Sequence, residues 1–165
     1  GFDLLIDAVA QLPRGSVRVV VIGDGPERAA LTARVASFAL QDDIRFIGFH
    51  PNPYAFMKRA HALVLSSRYE GLPNVVIESL AIGTAVIAVP CPGGTREIAS
   101  HTGGVTLAST VSADALAAAI RTFRLLRDAS GGRTPPIDIE RYRAANVVGQ
   151  YEALLADAVR IARAR

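Results

Sequence analysis

Short apolar segments rich in β-branched residues alternate with helical patterns along almost the whole chain. The apolar segments cover residues 17–22, 44–47, 62–65, 84–89 and 104–107. Near-continuous apolar runs of this length are typical of strands that are covered on both faces of a parallel sheet. Strands that each precede a helix favour parallel crossovers rather than hairpins. The sequence therefore predicts an α/β fold in which helices cover both faces of a parallel sheet.

The helical segments are defined by apolar residues at a spacing of three and four. They are predicted at 2–12, 26–40, 53–60, 73–82, 95–99, 112–127 and 138–162, the last with a break near 146–149. Ser, Gly, Thr and Pro concentrate between residues 128 and 136, a composition that indicates a linker. We therefore expect a domain over 1–127, a linker over 128–137 and a C-terminal helical segment of the same domain over 138–165.

Composition excludes several classes of protein. Half of the 165 residues are apolar and only 20% are charged, so the chain has enough apolar side chains for a core. The net charge is +3, but Lys58 is the only lysine among 18 dispersed basic residues, which argues against nucleic acid as a partner. A single cysteine, Cys91, excludes an internal disulfide and a multi-cysteine metal site, and indicates a reducing cytoplasm. The three histidines are far apart, so no metal site is predicted.

Ligands of parallel α/β sheets bind beyond the carboxyl ends of the strands, and segment 66–78 follows one such strand. It carries Glu70 in a polar loop, a helix start at Pro73, and Glu78 one turn into that helix. The amides near Val75 and Val76 would suit a phosphate. A carboxylate at Glu78 can accept hydrogen bonds from the vicinal diol of a ribose, and Glu70 can accept from other hydroxyls. The alternative is that both glutamates are simply solvated.

Four motifs resemble one family in their order and spacing. Residues 67–88, SRYEGLPNVVIESLAIGTAVIA, closely resemble the E-x7-E segment of retaining GT-B glycosyltransferases of the glycogen-synthase-like "group 1" type. Residues 19–27, VVVIGDGPE, are similar to the "ivGdGpe" turn of that family, and residues 45–49, RFIGF, to its v-x-F-x-G strand. Residues 91–98, CPGGTREI, resemble its pGG-x-x-E-i loop. Together the four motifs span nearly the whole chain.

The resemblance implies a Rossmann-like domain that binds a UDP- or GDP-linked hexose, the C-terminal half of a GT-B fold. It assigns the donor ribose to Glu78 and the donor hexose to Glu70, the candidate catalytic residue. Amides after the first glutamate would hold the sugar and pyrophosphate, residues after the v-x-F-x-G glycine would flank the base, and the "ivGdGpe" turn would line the site. The donor-binding residues assigned in this way are Gly71, Leu72, Pro73, Asn74, Val75, Val76, Phe49, His50, Gly23 and Gly25.

The resemblance also implies what surrounds this domain. The acceptor, a glycan or lipid-linked sugar, would bind an N-terminal domain outside this sequence, without which the chain is expected to be inactive. No metal or other cofactor is expected. The sequence of the E-x7-E segment resembles that of bacterial enzymes of cell-envelope polysaccharide synthesis, including lipopolysaccharide synthesis. The resemblance implies an enzyme that acts in the cytoplasm and can associate with the inner face of the membrane. The last helix would brace the N-terminal domain, so its apolar residues should be exposed.

Two alternatives stay open at this point. The first is a GT-B epimerase or phosphorylase, which would share the ribose-binding glutamate; Lys58 lies in no pyridoxal phosphate motif. The second is a non-catalytic nucleotide-binding module.

Overall fold

Strands and helices alternate along the chain in a computed structural model that describes residues 1–132 and 137–163. The helices are α1 (Phe2–Ala10), α2 (Arg28–Ser37), α3 (Tyr54–Arg59), α4 (Asn74–Ala81), α5 (Thr95–Thr102), α6 (Ala113–Ala129) and α7 (Ala144–Arg163). The strands are β1 (Val19–Ile22), β2 (Ile44–Gly48), β3 (Ala62–Leu65), β4 (Ala85–Ala88) and β5 (Val105–Leu107). A short 3-10 helix, Glu140–Tyr142, precedes α7. The predicted alternation is confirmed.

All strand pairs within the described residues are parallel, but they form two sheets rather than one. In the first sheet β1 pairs with β2, and in the second the order is β3-β4-β5. Alternation of strand and helix fixes the direction of each strand but not its neighbour, because pairing depends on segments that are distant in sequence. The prediction of parallel strands covered by helices is therefore confirmed, and the expectation of a single sheet is wrong.

The surroundings of strand β4 explain why its sequence is apolar without interruption. Ile87 packs in a core cluster that includes residues of α1 and α6, whereas Val86 and Ala88 pack in a second cluster with residues of α4 and α5. All three are buried. Successive side chains of a strand point to opposite faces, so the helices cover both faces of the three-stranded sheet. Residues Val19 and Val21 of β1 pack against the first cluster, which thus joins the two sheets.

Several element boundaries differ from those predicted. Helix α5 continues to Thr102 instead of ending at 99, and α7 begins at Ala144 rather than at 138. The break predicted at 146–149 is wrong, because Gly149 lies inside an uninterrupted helix of 20 residues. A glycine in a helix interior costs only about 1 kcal/mol relative to alanine, which a helix of this length tolerates. Part of the predicted linker, 133–136, lies outside the described residues.

Helix α7 presents an apolar face to solvent, as expected. Six of its large apolar residues are each 51–64% exposed, namely Val148, Tyr151, Leu154, Leu155, Val159 and Ile161. Most of them recur at a spacing of three or four and so lie along one side of the helix. None of the helices in the described ranges is long and apolar enough to cross a membrane.

We expect this chain to self-associate through α7 at high concentration, since exposed apolar faces of this kind favour association. Sedimentation velocity over a concentration series should show dimers or larger species. Substitution of Leu154 or of Leu155 by glutamate should weaken this association, whereas the equally acidic change Gln150→Glu, at an exposed polar residue, should not. A monomer at every concentration would contradict the prediction.

Candidate functional site

Two loops at the carboxyl end of the three-stranded sheet are joined by backbone hydrogen bonds. Residues 66–73, which we call the Glu70 loop, follow β3, and residues 89–94 follow β4. The Glu70 amide donates to the carbonyl of Pro92 at 3.1 Å, and the Gly94 amide donates to the carbonyl of Gly71 at 2.7 Å. The carboxylate-bearing loop is thus held against its neighbour by main-chain atoms.

The close approach of these loops requires a glycine at position 93. A Cβ atom there would lie 1.7 Å from the carbonyl oxygen of Glu70, and the residue has a φ of 110°. Both the distance and the dihedral exclude an ordinary side chain. A Cβ on Gly94 would lie 3.2 Å from the Leu72 side chain. The two glycines of the CPGG segment therefore leave the space that the Glu70 loop occupies.

The N-terminus of α1 holds the same loop on its other side. Arg68 donates two hydrogen bonds to the Asp3 carboxylate, at 2.8 Å and 2.6 Å. These bonds from Arg68 are the main reason that the pKa of Asp3 lies well below its usual range. A Cβ on Gly1 would lie 2.1 Å from the Ser66 carbonyl oxygen, so the backbones also meet closely here. The Glu70 loop is therefore fixed from two sides.

The two glutamates of the predicted site offer unoccupied acceptor oxygens. Glu70 and Glu78 are both partly buried. Within residues 1–132 and 137–163, neither carboxylate accepts a hydrogen bond or forms an ion pair. Val76 and Leu80 are buried on the inner side of α4, which anchors the helix that carries Glu78. Both carboxylates can therefore accept hydrogen bonds from hydroxyl groups of a ligand.

The amides at the start of α4 differ from the expectation that Asn74, Val75 and Val76 would all be available. The Asn74 amide donates to the carbonyl of Leu72 and the Val76 amide to that of Pro73, both at 2.9 Å. The expectation is wrong for these two because the chain enters the helix through tight turns that use the first amides internally. In the described part of the chain, the amides of Gly71, Leu72 and Val75 donate to no protein acceptor.

A second group of predicted residues lies at the carboxyl end of the β1–β2 sheet. The Gly23 amide donates to the carbonyl of Gly48 at 2.7 Å. Phe49, which follows, is 81% exposed. The His50 ring packs edge-on against Phe56 with centroids 4.8 Å apart, and its Nδ1 accepts from the Asn52 amide at 3.1 Å. An oriented imidazole beside an open phenyl ring is suited to a flat aromatic ligand.

Gly25 lies in the turn between β1 and α2, two residues after Gly23. Its amide donates to the Asp24 carboxylate at 2.8 Å. It borders an open depression of about 750 Å³ along α2 that includes Pro26 and Ala29 but none of the other predicted site residues. The depression has no acidic side chain among its lining residues, so it lacks the chemistry of the Glu70 loop.

Both groups of loops face the same side of the molecule. Helix α1 begins beside Ser66, at the carboxyl end of β3, and leads to β1. Since a helix in an αβ unit runs antiparallel to the strand that follows, β1 ends on the side where α1 begins. The structure thus places the Glu70 loop and the Phe49–His50 segment at one edge, as the strand pattern predicted.

Sequence reasoning missed Asp3, which lies 65 residues from its partner Arg68. An acidic residue in the first turn of a helix is common because it complements the helix dipole, so the sequence carries no signal of the pairing. The described residues contain no group of three or more His, Cys, Asp or Glu side chains that could hold a metal ion.

Parallel strands covered on both faces, with polar loops gathered at their carboxyl ends, define a Rossmann-like domain of the GT-B class. The chain belongs to the group 1 glycosyltransferase family, since the family model for "Glycosyl transferases group 1" matches residues 1–130. The predicted family resemblance is confirmed.

Named relatives include proteins of polysaccharide synthesis. The Vi polysaccharide biosynthesis protein VipC/TviE of Salmonella typhi is 31% identical over 146 residues, which are 86% of this chain and 25% of that protein. The lipopolysaccharide core biosynthesis glycosyltransferase LpsE of Rhizobium meliloti is 37% identical over 93 residues, 56% of this chain and 27% of LpsE. The chain therefore spans about a quarter of the length of these relatives.

A solved structure supports the same fold. Anabaena Alr3699/HepE, crystallised in complex with UDP and glucose, superposes with a TM-score of 0.70 at 26% sequence identity. The match covers 81% of this chain and 37% of that one.

Proposed function

We propose that this chain is the donor-binding domain of a retaining glycosyltransferase. The enzyme transfers a hexose from a UDP- or GDP-sugar to a glycan or lipid-linked acceptor in bacterial cell-envelope polysaccharide synthesis. The observation that carries the proposal is the pair of partly buried glutamates, one on each side of the turn that opens α4, whose carboxylates have no partner among the described residues. The relatives in lipopolysaccharide core and Vi polysaccharide biosynthesis support the acceptor class.

Each part of the donor is assigned to a described group of atoms. Glu78 accepts hydrogen bonds from the ribose diol and Glu70 from the hexose hydroxyls. The available amides of Gly71, Leu72 and Val75 donate to the diphosphate, helped by the positive end of the α4 dipole. Phe49 and His50 contact the base. The HepE complexes with UDP and glucose support a nucleotide-sugar as the ligand.

The chemistry follows from where negative charge develops. When the bond from the anomeric carbon to the diphosphate breaks, the leaving diphosphate gains charge next to the first turn of α4. Amides that already point at that position stabilise the charge without reorganising. The proposal assigns no metal or other cofactor to this step. It places the acceptor on a further domain of a cytoplasmic enzyme that can associate with the membrane, and expects no sugar transfer by residues 1–165 alone.

We expect UDP to shift the amide resonances of Gly71, Leu72 and Val75 in an NMR titration, because these groups would donate to the diphosphate. Asn74 and Val76, whose amides are already engaged, should shift less. Affinity should be roughly millimolar and weaker at high salt. Uridine, which lacks phosphate, is the control ligand and should spare these amides while still shifting Phe49 and His50. Shifts confined to other parts of the chain would contradict the proposed function.

A further inference from the structure

The Glu70 loop carries an ion pair whose geometry goes beyond attraction between two charges. Nη1 of Arg68 donates to Oδ1 of Asp3 at 2.8 Å, and Nη2 donates to Oδ2 at 2.6 Å. A bidentate pair of this kind fixes the orientation of the two groups as well as their separation. We propose that Asp3 and Arg68 are positioning residues that hold Glu70 in place for the hexose of the donor. The inference rests on the proposed function in that it takes Glu70 as the sugar contact.

The position of Arg68 allows the ion pair to restrict the backbone of Glu70. Only Tyr69 separates the two residues, and on the far side the Glu70 amide donates to Pro92 while Gly71 accepts from Gly94. The segment from 68 to 71 is therefore tied at one end to the first turn of α1 and at the other end to the loop after β4. Glu70 itself uses only its backbone in these contacts, which leaves its carboxylate open to a ligand.

The guanidinium of Arg68 is engaged by Asp3 and is therefore not assigned to an anionic ligand. The two Nη groups of its guanidinium donate to Asp3, and both residues are partly exposed, at 56% and 42% of the side chain. Exposed ion pairs contribute little to global stability. The pair is thus suited to restricting one loop rather than to holding the fold together, so its loss should leave the folded structure intact.

The chain offers a matched control on the same helix. Arg34 contacts Asp7 in the same bidentate manner, at 2.7 Å and 2.6 Å, with side-chain exposures of 42% and 30%. That pair joins α1 to α2 and does not touch the Glu70 loop. Asp7→Asn therefore removes an equivalent ion pair of α1 without releasing the loop, and separates positioning from general effects on the helix.

The experiment compares Asp3→Asn, Arg68→Lys and Asp7→Asn with the unchanged chain in NMR titrations with UDP, UDP-glucose, GDP and GDP-mannose. Arg68→Lys keeps the charge but loses the planar fork. We expect Asp3→Asn and Arg68→Lys to reduce the affinity for whichever nucleotide-sugar binds by roughly three- to fivefold, the scale of an exposed pair, and to leave UDP and GDP unchanged. In the ligand-free protein, the amides of Glu70 and Gly71 should shift or broaden. Asp7→Asn should change neither the affinity for the nucleotide-sugar nor the amide resonances of Glu70 and Gly71.

The outcomes separate this inference from the proposed function. If the ligand-free amides of Glu70 and Gly71 respond no more to Asp3→Asn than to Asp7→Asn, the pair does not hold the loop and the inference is overturned. If nucleotide-sugars bind with unchanged affinity in Asp3→Asn and Arg68→Lys, positioning for the sugar is overturned while the donor site stands. If the unchanged chain binds none of the four ligands, the proposed function fails, and the sugar assignment of this inference fails with it.

Discussion

Replacement of Gly93 by alanine is expected to displace the Glu70 loop and to lower the free energy of unfolding by at least about 2 kcal/mol. The new Cβ would lie 1.7 Å from the Glu70 carbonyl oxygen and 2.8 Å from that of Gly71. Both obstacles are backbone atoms, which cannot turn aside as the end of a side chain can. The loop would have to move and lose its hydrogen bonds to Pro92 and Gly94. Strain from a φ of 110° adds to the cost.

Urea denaturation of Gly93→Ala and of Gly23→Ala separates the cost of the steric clash from the cost of backbone strain. Gly23 has a similar φ of 124°, but a Cβ there meets nothing within 4 Å. The control therefore reports backbone strain alone, and Gly93→Ala should be clearly less stable than it. Equal losses in the two variants would show that the close approach of the two loops does not contribute. Amide shifts at Glu70 and Gly71 should also change in Gly93→Ala but not in the control.

Replacement of Glu78 by alanine is expected to weaken binding of UDP or GDP by roughly tenfold or more. A hydrogen bond to a charged group is worth about 1.5–3 kcal/mol, and tenfold in affinity corresponds to about 1.4 kcal/mol. Glu78 is assigned to the ribose, which every nucleotide carries. Glu70 is assigned to the hexose, which a free diphosphate lacks, so Glu70→Ala should hardly change the affinity for UDP.

Calorimetry or NMR titration with UDP and GDP measures both variants under the same conditions. Glu70→Ala is the matched control, because it removes the same side chain from the other half of the candidate site. A nucleotide-sugar should in turn bind less well to Glu70→Ala than to the unchanged chain. Equal effects of the two substitutions on UDP would reverse the assignment of ribose and hexose.

Much of the fold was accessible from the sequence because its signals are local. The run at 62–65 predicts β3 with its observed limits, Ala62–Leu65, since four apolar residues between polar ones leave no ambiguity. Ser112 is of a residue type that favours helix caps, and its side chain accepts from the Ala115 amide at 3.2 Å at the start of α6. A capping side chain acts within its own turn of the chain, so the residue type and its position suffice.

The remainder depends on contacts between distant segments or on the backbone geometry of a single turn. The pairing of β1 only with β2, within the described residues, is decided by packing of both sheets on a shared core. The contact of Asp3 with Arg68 joins residues that no periodicity relates. The engaged amides of Asn74 and Val76 reflect the angle at which the chain enters α4. In none of these cases does the sequence predict the geometry, and for Asp3 it does not single out the residue either.

The hydrogen bonds that join the Glu70 loop to its neighbour have an evolutionary consequence. They link backbone to backbone, from Glu70 to Pro92 and from Gly94 to Gly71, and so require no particular side chain at most positions of either loop. Tyr69 and Leu72 flank the segment and are largely exposed. Their side chains can change from one descendant to another without moving Glu70. Substitutions at these two positions are therefore expected to leave the backbone of Glu70 in place, whereas substitutions at Gly93 are not.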